Sequence, residues 1–355
     1  MPNIFLESHN IKNPYFGFGQ FNYHIIKGLY NINIPSDLDI TLHAKNIKDL
    51  KSEFGTYFNY KKYHSFRRYK QLGVRKKYDL WHSLNQNTKI EPYYNIPYVL
   101  TVHDVNFVEE NPDDQERFLR FKNKLKRSSA ITYISNFAKV STHQHFEVPN
   151  VPEYIIYNGN PIREITLPPD YKPALTSKRP FLFSIGEFTE RKNFHALVQM
   201  LEYLPDFNLI IAGNNKTDYA QNKLANTIKK LNLTNRVIIT GKISDLDKQY
   251  YLKHCSAFVF PSLREGFGIP PMEAMRFGKP VFLSNNTSLP EIGGKFAFYW
   301  KNFDPQYMSE VFEQGMHKYL AQKDEYIKAY TDRANSFDWD ISAKQYLQVY
   351  KDVLQ

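Results

Sequence analysis

Glu265 and Glu273 bracket the stretch of this chain with the clearest chemical spacing, Glu265-Gly-Phe-Gly-Ile-Pro-Pro-Met-Glu273. A glycine-containing turn carries the first carboxylate, and a short helix opened by proline carries the second. Such a pair can hold a sugar at one end and a ribose at the other. Glu265 would accept hydrogen bonds from sugar hydroxyls, and Glu273, in the first helical turn, would take both ribose hydroxyls. Gly266 and Gly268 leave backbone amides unobstructed beside an electropositive helix N-terminus, which suits hydroxyls or phosphate. The plainer alternative is that Glu273 only stabilises the helix dipole and Glu265 is solvated.

A second cluster is Gly186-Glu-Phe-Thr-Glu-Arg191-Lys192-Asn193. A strand ends, Gly186 turns, and two cations precede a helix. Arg191 can grip a diphosphate as a fork and Lys192 as a point charge. An exposed basic pair ahead of an N-cap asparagine is the competing reading. Gly17 and Gly19, in the loop Pro14–Gln20, allow close backbone approach to a ligand, although a simple turn explains them equally. No third glycine follows at dinucleotide spacing, which argues against NAD. His103, in Thr101-Val102-His103-Asp104, ends a buried-looking strand and can meet a sugar hydroxyl or a phosphate. Alternatively Asp104 satisfies it. Between Tyr57 and Tyr78 lie eight cations from Lys61 to Lys77, interleaved with Tyr60, Tyr63, Phe66 and Tyr69 and free of acidic residues. That segment suits anionic lipid, RNA or plain solvent.

The elements that must position these residues alternate. Strand patterns at 3–7, 39–42, 78–81, 98–102, 130–134 and 154–157 intersperse with helical patterns at 20–30, 113–127 and 136–146, the last capped by Ser135. Asn158–Pro180 then holds five prolines, which suits an irregular joint. A second series follows. Its strands are expected at 181–185, 208–212, 236–240, 257–260 and 280–284, with helices at 193–204, 219–231, 244–254 and 271–277. Alternation of this kind predicts parallel sheets of α/β class in two doubly wound domains facing across a cleft. The expected boundaries are 1–165, a linker at 166–180, 181–336, and a terminal helix at 337–355 that packs back toward the first domain.

Composition narrows the class. The 355 residues suit two domains, and 42% hydrophobic with 16% aromatic content supplies real cores. One cysteine, Cys255, excludes a disulfide framework and a cysteine-based zinc site. This fits a reducing compartment and a cytoplasmic location. No apolar run reaches the ~18 residues that a membrane span needs, and no secretory leader is evident. The net charge of +10 asks for a polyanionic partner or a solubility role.

Taken in order, Ser135-Asn-Phe-Ala-Lys139, Asn158-Gly159, Gly186…Arg191-Lys192-Asn193, Glu265…Glu273 and Phe337-Asp338-Trp339 resemble the retaining glycosyltransferases of family four, which have the GT-B fold. The resemblance spans nearly the whole chain and is strongest over 181–300. It implies an N-terminal acceptor domain and a C-terminal nucleotide-sugar domain. Glu265 would contact the donor sugar and Glu273 the ribose, while Arg191 and Lys192 would stabilise the departing diphosphate. Gly186 would belong to the donor site. Amides of Gly266, Phe267, Gly268 and Ile269 would hold sugar and phosphate. Gly17 and Gly19 would approach the phosphates, and His103 would contact the sugar. Such enzymes need no metal, and Asp338-Trp-Asp340, an Asp-x-Asp sequence, lies at the terminal helix rather than in a plausible metal site. The stretch Asn285–Glu291 looks like that of mannosyl-transferring members, which favours GDP-mannose over UDP-sugars. The implied partners are a nucleotide sugar and a glycan or lipid-linked glycan of surface polysaccharide or lipopolysaccharide synthesis. Lys61–Lys77 would touch anionic membrane, and nucleic acid is not expected. The competing classes are another GT-B enzyme, such as an epimerase or phosphorylase, and a non-enzymatic basic binding protein.

Overall fold

A computed structural model describes residues 1–13, 17–162 and 166–355. The chain forms two compact units, Met1–Pro161 with Phe337–Gln355, and Ile162–Ser336. Each is built on its own parallel sheet.

Unit 1 has seven strands: β1 (Asn3–Glu7), β2 (Asp39–Ala44), β3 (Asn59–Lys62), β4 (Leu80–Ser83), β5 (Tyr98–Val102), β6 (Ala130–Tyr133) and β7 (Glu153–Ile155). Their order is β3-β2-β1-β4-β5-β6-β7, so the winding reverses between β1 and β4. Strands β4, β5 and β6 are buried at every residue, as a sheet covered on both faces requires. The helices are α1 (Gly17–Asn31), α2 (Ile47–Phe54), α3 (Phe107–Glu110), α4 (Gln115–Arg127) and α5 (Asn136–His145). Asp114 caps α4 and Ser135 caps α5, each side chain accepting from the amide three residues on.

Unit 2 has six strands: β8 (Phe181–Ile185), β9 (Asn208–Ala212), β10 (Val237–Gly241), β11 (Ala257–Phe260), β12 (Val281–Ser284) and β13 (Phe298–Trp300). They run β10-β9-β8-β11-β12-β13, with the reversal between β8 and β11. The helices are α6 (Phe194–Leu201), α7 (Ala225–Lys230), α8 (Asp245–His254), α9 (Ile269–Arg276), α10 (Leu289–Gly293), α11 (Pro305–Ala321) and α12 (Lys323–Ser336). One face of the sheet packs Leu182, Leu209 and Ile211 against α6 and α11. The other packs Phe183, Phe258 and Phe260 against Met275 of α9 and Tyr251 of α8.

The last helix, α13 (Trp339–Leu354), belongs to unit 1 and lies on α1. Two glycines make room for it. A Cβ on Gly28 would stand 2.6 Å from the Trp339 carbonyl oxygen, and one on Gly159 would stand 2.3 Å from the Trp339 amide nitrogen. Asp338 caps this helix, accepting from the amides of Asp340 and Ile341.

The structure departs from the sequence reading at several places. Stretch 166–180 is tied into unit 2. The Thr166 amide donates to Gln249 Oε1 at 2.9 Å, Tyr171 donates to Asp247 at 2.7 Å, and Tyr251 donates to the Leu175 carbonyl at 2.5 Å. Its prolines prevent regular structure without making it a free joint. Gly17 and Gly19 are the first residues of α1, not loop residues. A Cβ on Gly19 would lie 1.9 Å from the Asn13 carbonyl oxygen, so that glycine serves a backbone contact within unit 1, whereas Gly17 faces open space. Pro14, Tyr15 and Phe16 of the same motif lie outside the described residues. The basic segment contains an edge strand, β3, and the 3-10 turn Ser65–Arg68.

Candidate active site

In doubly wound sheets, ligands bind beyond the carboxyl ends of the strands where the winding reverses. In unit 2 that point lies between β8 and β11. The loop after β8 carries Gly186 to Lys192, and the loop after β11 carries Ser262 to Gly266. Topology therefore brings together two motifs that are about seventy residues apart in sequence.

Their side chains form one ionic cluster. Lys192 Nζ donates to Glu265 Oε1 at 2.5 Å, and Arg191 Nη1 stands 3.3 Å from Glu265 Oε2. Ser262 Oγ donates to Glu265 Oε1 at 2.6 Å. The loops are also stitched by backbone: the Leu263 amide donates to the Arg191 carbonyl at 2.8 Å, and Arg191 Nη1 donates to the Arg264 carbonyl at 2.5 Å. Glu265 keeps 12% of its side chain exposed and Lys192 keeps 9%. Burial opposes charge on Glu265, but Lys192, Arg191 and the hydrogen bonds from Lys192 and Ser262 outweigh it and hold the carboxyl below its ordinary range. Burial pulls the Lys192 ammonium below its ordinary value, with Glu265 acting against that pull. Two cations face one carboxylate, so the cluster suits an anion.

Glycines let the loops close. A Cβ on Gly186 would press the Lys192 stem at 3.1 Å, so this glycine leaves room for the lysine to reach Glu265. Gly213, after β9, has φ +141°, and a Cβ there would fall 1.8 Å from the Gly186 carbonyl oxygen. Gly268 has φ +120° at the start of α9, a backbone shape that other residues rarely adopt.

A third loop supports the Glu265 turn. Thr287 Oγ1 accepts from the Glu265 amide at 3.0 Å, and Ser288 Oγ contacts the carbonyls of Glu265 at 3.0 Å and Phe267 at 2.6 Å. Thr287 has φ +55°, left-handed backbone that costs a β-branched residue energy. The strained residue sits where it fixes the glutamate loop. Stretch 285–291, which the sequence likened to mannosyl-transferring members, thus has a positioning role.

Glu273 lies in the second turn of α9, not the first, so the helix dipole does not account for it. It is buried and accepts from Lys248 Nζ at 2.8 Å. Burial opposes charge on Lys248, yet Glu273 and then Asp245 hold its ammonium above the ordinary value. Sequence reasoning missed Lys248, Ser262, Gly213, Thr287 and Ser288. Only Gly213, a glycine directly after a strand, carries a local signal.

His103 belongs to unit 1, at the end of β5. Its Nε2 donates to the Leu84 carbonyl at 2.9 Å, and its amide donates to Gln86 Oε1 at 3.1 Å. Leu84, not Asp104, satisfies the ring. The carbonyl only accepts, so Nε2 carries the proton and Nδ1 is an acceptor. Burial, partly offset by the Leu84 hydrogen bond, lowers its pKa to about 4. Phe18 and Phe21 meet the ring edge-on at 4.8 and 4.6 Å.

Two parallel α/β units, the second with a carboxylate and two cations at its switch point, define a GT-B architecture. Residues 170–333 match the family model described as Glycosyl transferases group 1. The chain is 26% identical over 260 residues to the serotype-specific mannosyltransferase WbdA of Escherichia coli, which aligns 69% of this chain and 31% of WbdA. It is 26% identical over 245 residues to the O-antigen chain mannosyltransferase RfbU of Salmonella typhimurium, aligning 68% of this chain and 65% of RfbU. Thus the match spans under a third of WbdA and just under two thirds of RfbU. Among solved structures, sucrose-phosphate synthase from Thermosynechococcus elongatus superposes with a TM-score of 0.75 at 17% identity, covering 99% of both chains. HepE from Anabaena in complex with UDP and glucose gives 0.72 at 17%, covering 99% of this chain and 100% of HepE. Residues 170–333 are thus similar to the group 1 glycosyl transferases, and the whole chain shares the fold of these solved structures.

Proposed function

We propose that the chain is a retaining hexosyltransferase. It moves a sugar, mannose before others, from a GDP- or UDP-sugar to a glycan or lipid-linked glycan acceptor in surface polysaccharide synthesis. The observation that carries this reading is the Glu265–Lys192–Arg191 cluster at the switch point of unit 2. The names of the WbdA and RfbU relatives favour mannose, and the complex of HepE with UDP and glucose supports a nucleotide-sugar donor.

In the reaction, the bond from the anomeric carbon to the diphosphate oxygen breaks and a bond to the acceptor oxygen forms on the same face. The acceptor proton passes to the leaving phosphate oxygen. Negative charge grows on the diphosphate as it leaves. Arg191 and Lys192 are already fixed by Glu265 and by backbone, so they meet that charge without reorganising. They supply the positive charge the step needs, and the reading calls for no metal. Glu265 takes sugar hydroxyls while holding the cations in place. Glu273, oriented by Lys248, takes the ribose. Amides from Gly266 to Ile269 face sugar and phosphate, Gly186 gives the diphosphate access, and His103 Nδ1 accepts from a sugar hydroxyl. Gly17, the open one of the two glycines in the first turn of α1, admits the phosphates; Gly19 holds the start of that helix.

The enzyme would work in the cytoplasm at the inner membrane face, with Lys61–Lys77 near anionic lipid and without a nucleic-acid partner. No helix among the described residues is long and apolar enough to cross a membrane. A thermal-shift series with GDP-mannose, UDP-glucose and ADP-glucose tests the donor assignment. A ligand at a hundredfold excess over its Kd stabilises by ~2.7 kcal/mol. The expected result is a shift with a GDP- or UDP-sugar that Arg191→Ala and Glu273→Ala both abolish while the fold persists. Equal shifts in the wild type and both variants would overturn the site assignment.

A further inference from the structure

Unit 1 contains a cavity of about 440 Å³ between α4, segment 89–92 and the turn that carries Arg67 and Arg68. The α4 residues on its wall recur at three- and four-residue spacing, so they occupy a single helix face. Six cations and two carboxylates line it, an excess of four positive charges. Both carboxylates are already engaged. Glu116 holds Lys89 at 2.7 Å and Arg120 at 2.8 Å, and Glu91 holds Lys124 and, at 3.1 Å, Arg127. Among the described residues no carboxylate pairs with Arg67 or Arg68. The Nε atoms of Arg67 and Arg120 are buried and make no hydrogen bond.

A buried donor without an acceptor is costly and uncommon. Here the cavity's two carboxylates are already paired, so a ligand that brings acceptors and negative charge would complete the site. Guanidinium forks match phosphate oxygens, and the volume falls within the ordinary range of small-molecule sites. We propose that this cavity is a second anion site, apart from the donor loops of unit 2, and that it takes a phosphate or diphosphate group. A soluble phosphorylated glycan and an anionic lipid head group both present that chemistry. The proposal does not depend on the transferase reading.

Calorimetric titration of the full chain with inorganic pyrophosphate tests it. Binding is expected in the wild type and in Arg191→Ala. It is expected to weaken at least tenfold in the double variant R67A/R68A and in the single exposed charge reversal Arg68→Glu, with circular dichroism unchanged. Binding lost in Arg191→Ala but kept in both cavity variants would put the diphosphate in the donor loops. That outcome overturns this inference while leaving the proposed function standing. Absence of pyrophosphate binding in the wild type also overturns it. Phosphatidylcholine vesicles with and without phosphatidylglycerol identify the source. Sedimentation that needs phosphatidylglycerol, is competed by pyrophosphate and is lost in R67A/R68A assigns a lipid head group. Pyrophosphate binding without sedimentation assigns a soluble ligand. Sedimentation lost in R67A/R68A without pyrophosphate binding describes a diffuse basic surface and defeats the discrete site.

Discussion

The two sheets reverse their winding at equivalent places, and the chain furnishes the two places differently. In unit 2 the loops after β8 and β11 meet in a cluster with one carboxylate and two cations. In unit 1 the same position, at the end of β1, holds Glu7, fully buried, with His9 Nδ1 at 2.6 Å and His43 Nδ1 at 3.2 Å from Oε1. Burial opposes charge on Glu7, but His9 and His43 hold its carboxyl far below the ordinary range. Among the described residues, Glu7 Oε2 and His43 Nε2 have no hydrogen-bond partner. Farther along the same sheet, His82 and His103 are buried and neutral. Unit 2 thus gathers two cations at the point where the proposed mechanism has a diphosphate leave. Unit 1 offers buried groups, the uncharged His82 and His103 among them, that exchange hydrogen bonds with a neutral ligand. One fold, used twice, carries two different electrostatic environments at equivalent places.

The sharpest way to break this comparison is to remove a permanent charge from unit 2. Lys192→Met deletes the ammonium and leaves Glu265 with Arg191 alone. Turnover is expected to fall by about 10²–10³, the usual cost of losing one group preorganised for developing negative charge. Single-turnover kinetics with saturating donor would measure it. Glu7→Gln in unit 1 is expected to leave the chemical step within about tenfold, because it faces no leaving group in the proposed mechanism. Equal losses in both variants would erase the division of roles.

Acid should separate the units next. His103 falls from an ordinary 6.5 to about 4, and His82 to about 3, through burial and, for His82, the proximity of His103. A base with a depressed folded pKa binds protons more readily when unfolded. Native stability is therefore lost as pH falls from 6.5 toward 4 and below. At ~1.4 kcal/mol per pKa unit, His103 alone removes about 3 kcal/mol. Glu265 has the same sense in a lower pH window. Its lowered carboxyl contributes stability above its ordinary 4.5 that disappears only as pH drops through the folded value. Hydrogen exchange followed by mass spectrometry should show unit 1 opening between pH 6.5 and 4 while the Glu265 loop stays protected. Simultaneous opening of both would contradict it.

A smaller effect probes what holds α13 on unit 1. Tyr350 OH contacts His82 Nδ1 at 2.7 Å, and His82 Nε2 meets Thr101 Oγ1 at 2.8 Å, which in turn reaches Thr132 Oγ1 at 2.7 Å. Tyr350→Phe keeps the ring and strands a buried imidazole nitrogen, at an expected cost of about 1–3 kcal/mol. Urea unfolding would detect it as a lower midpoint with unchanged slope. A variant as stable as the parent would show that α13 is held by packing alone.

The same contrast explains what the sequence disclosed. Most strands of both sheets were legible because fully covered parallel strands appear as apolar runs, such as Phe181–Ile185 and Tyr98–Val102, whereas the edge strands β3 and β13 were missed. The unit 2 cluster was half legible. Arg191, Lys192, Glu265 and Glu273 lie in short runs with glycines, but their mutual pairing depends on β8 and β11 being neighbours, which spacing does not encode. Ser262, Thr287 and Ser288 look like ordinary loop residues until the strand ends converge. The unit 1 cluster was invisible. Glu7 reads as the polar end of a strand, and its partners lie two and thirty-six residues away. The helices α11 and α12 were also missed, since their buried faces are sparse and mixed: Met308, Ser309, Phe312, Gly315 and Tyr319 in α11, and Tyr326, Tyr330 and Ala334 in α12. Gly17 and Gly19 were assigned to a loop because glycine is a poor helix former, whereas here α1 accepts them at its first turn.

The smallest test uses the same residue type in both units. Ser135 begins α5 and Ser244 begins α8, and each side chain accepts from the amide three residues on, at 3.0 and 3.1 Å. Their surroundings differ. Ser135 is fully buried, so the amide it satisfies has no water to replace it. Ser244 is exposed and works in a reciprocal pair with Asp247, whose carboxylate accepts from the Ser244 amide at 3.0 Å. Ser135→Ala is expected to cost about 2 kcal/mol, the upper end for a lost cap, and Ser244→Ala about 0.5–1 kcal/mol because water replaces the hydroxyl. Each can be read from the shift in urea midpoint at constant slope. If the exposed serine proves the costlier, solvent access does not set the value of a cap in this chain.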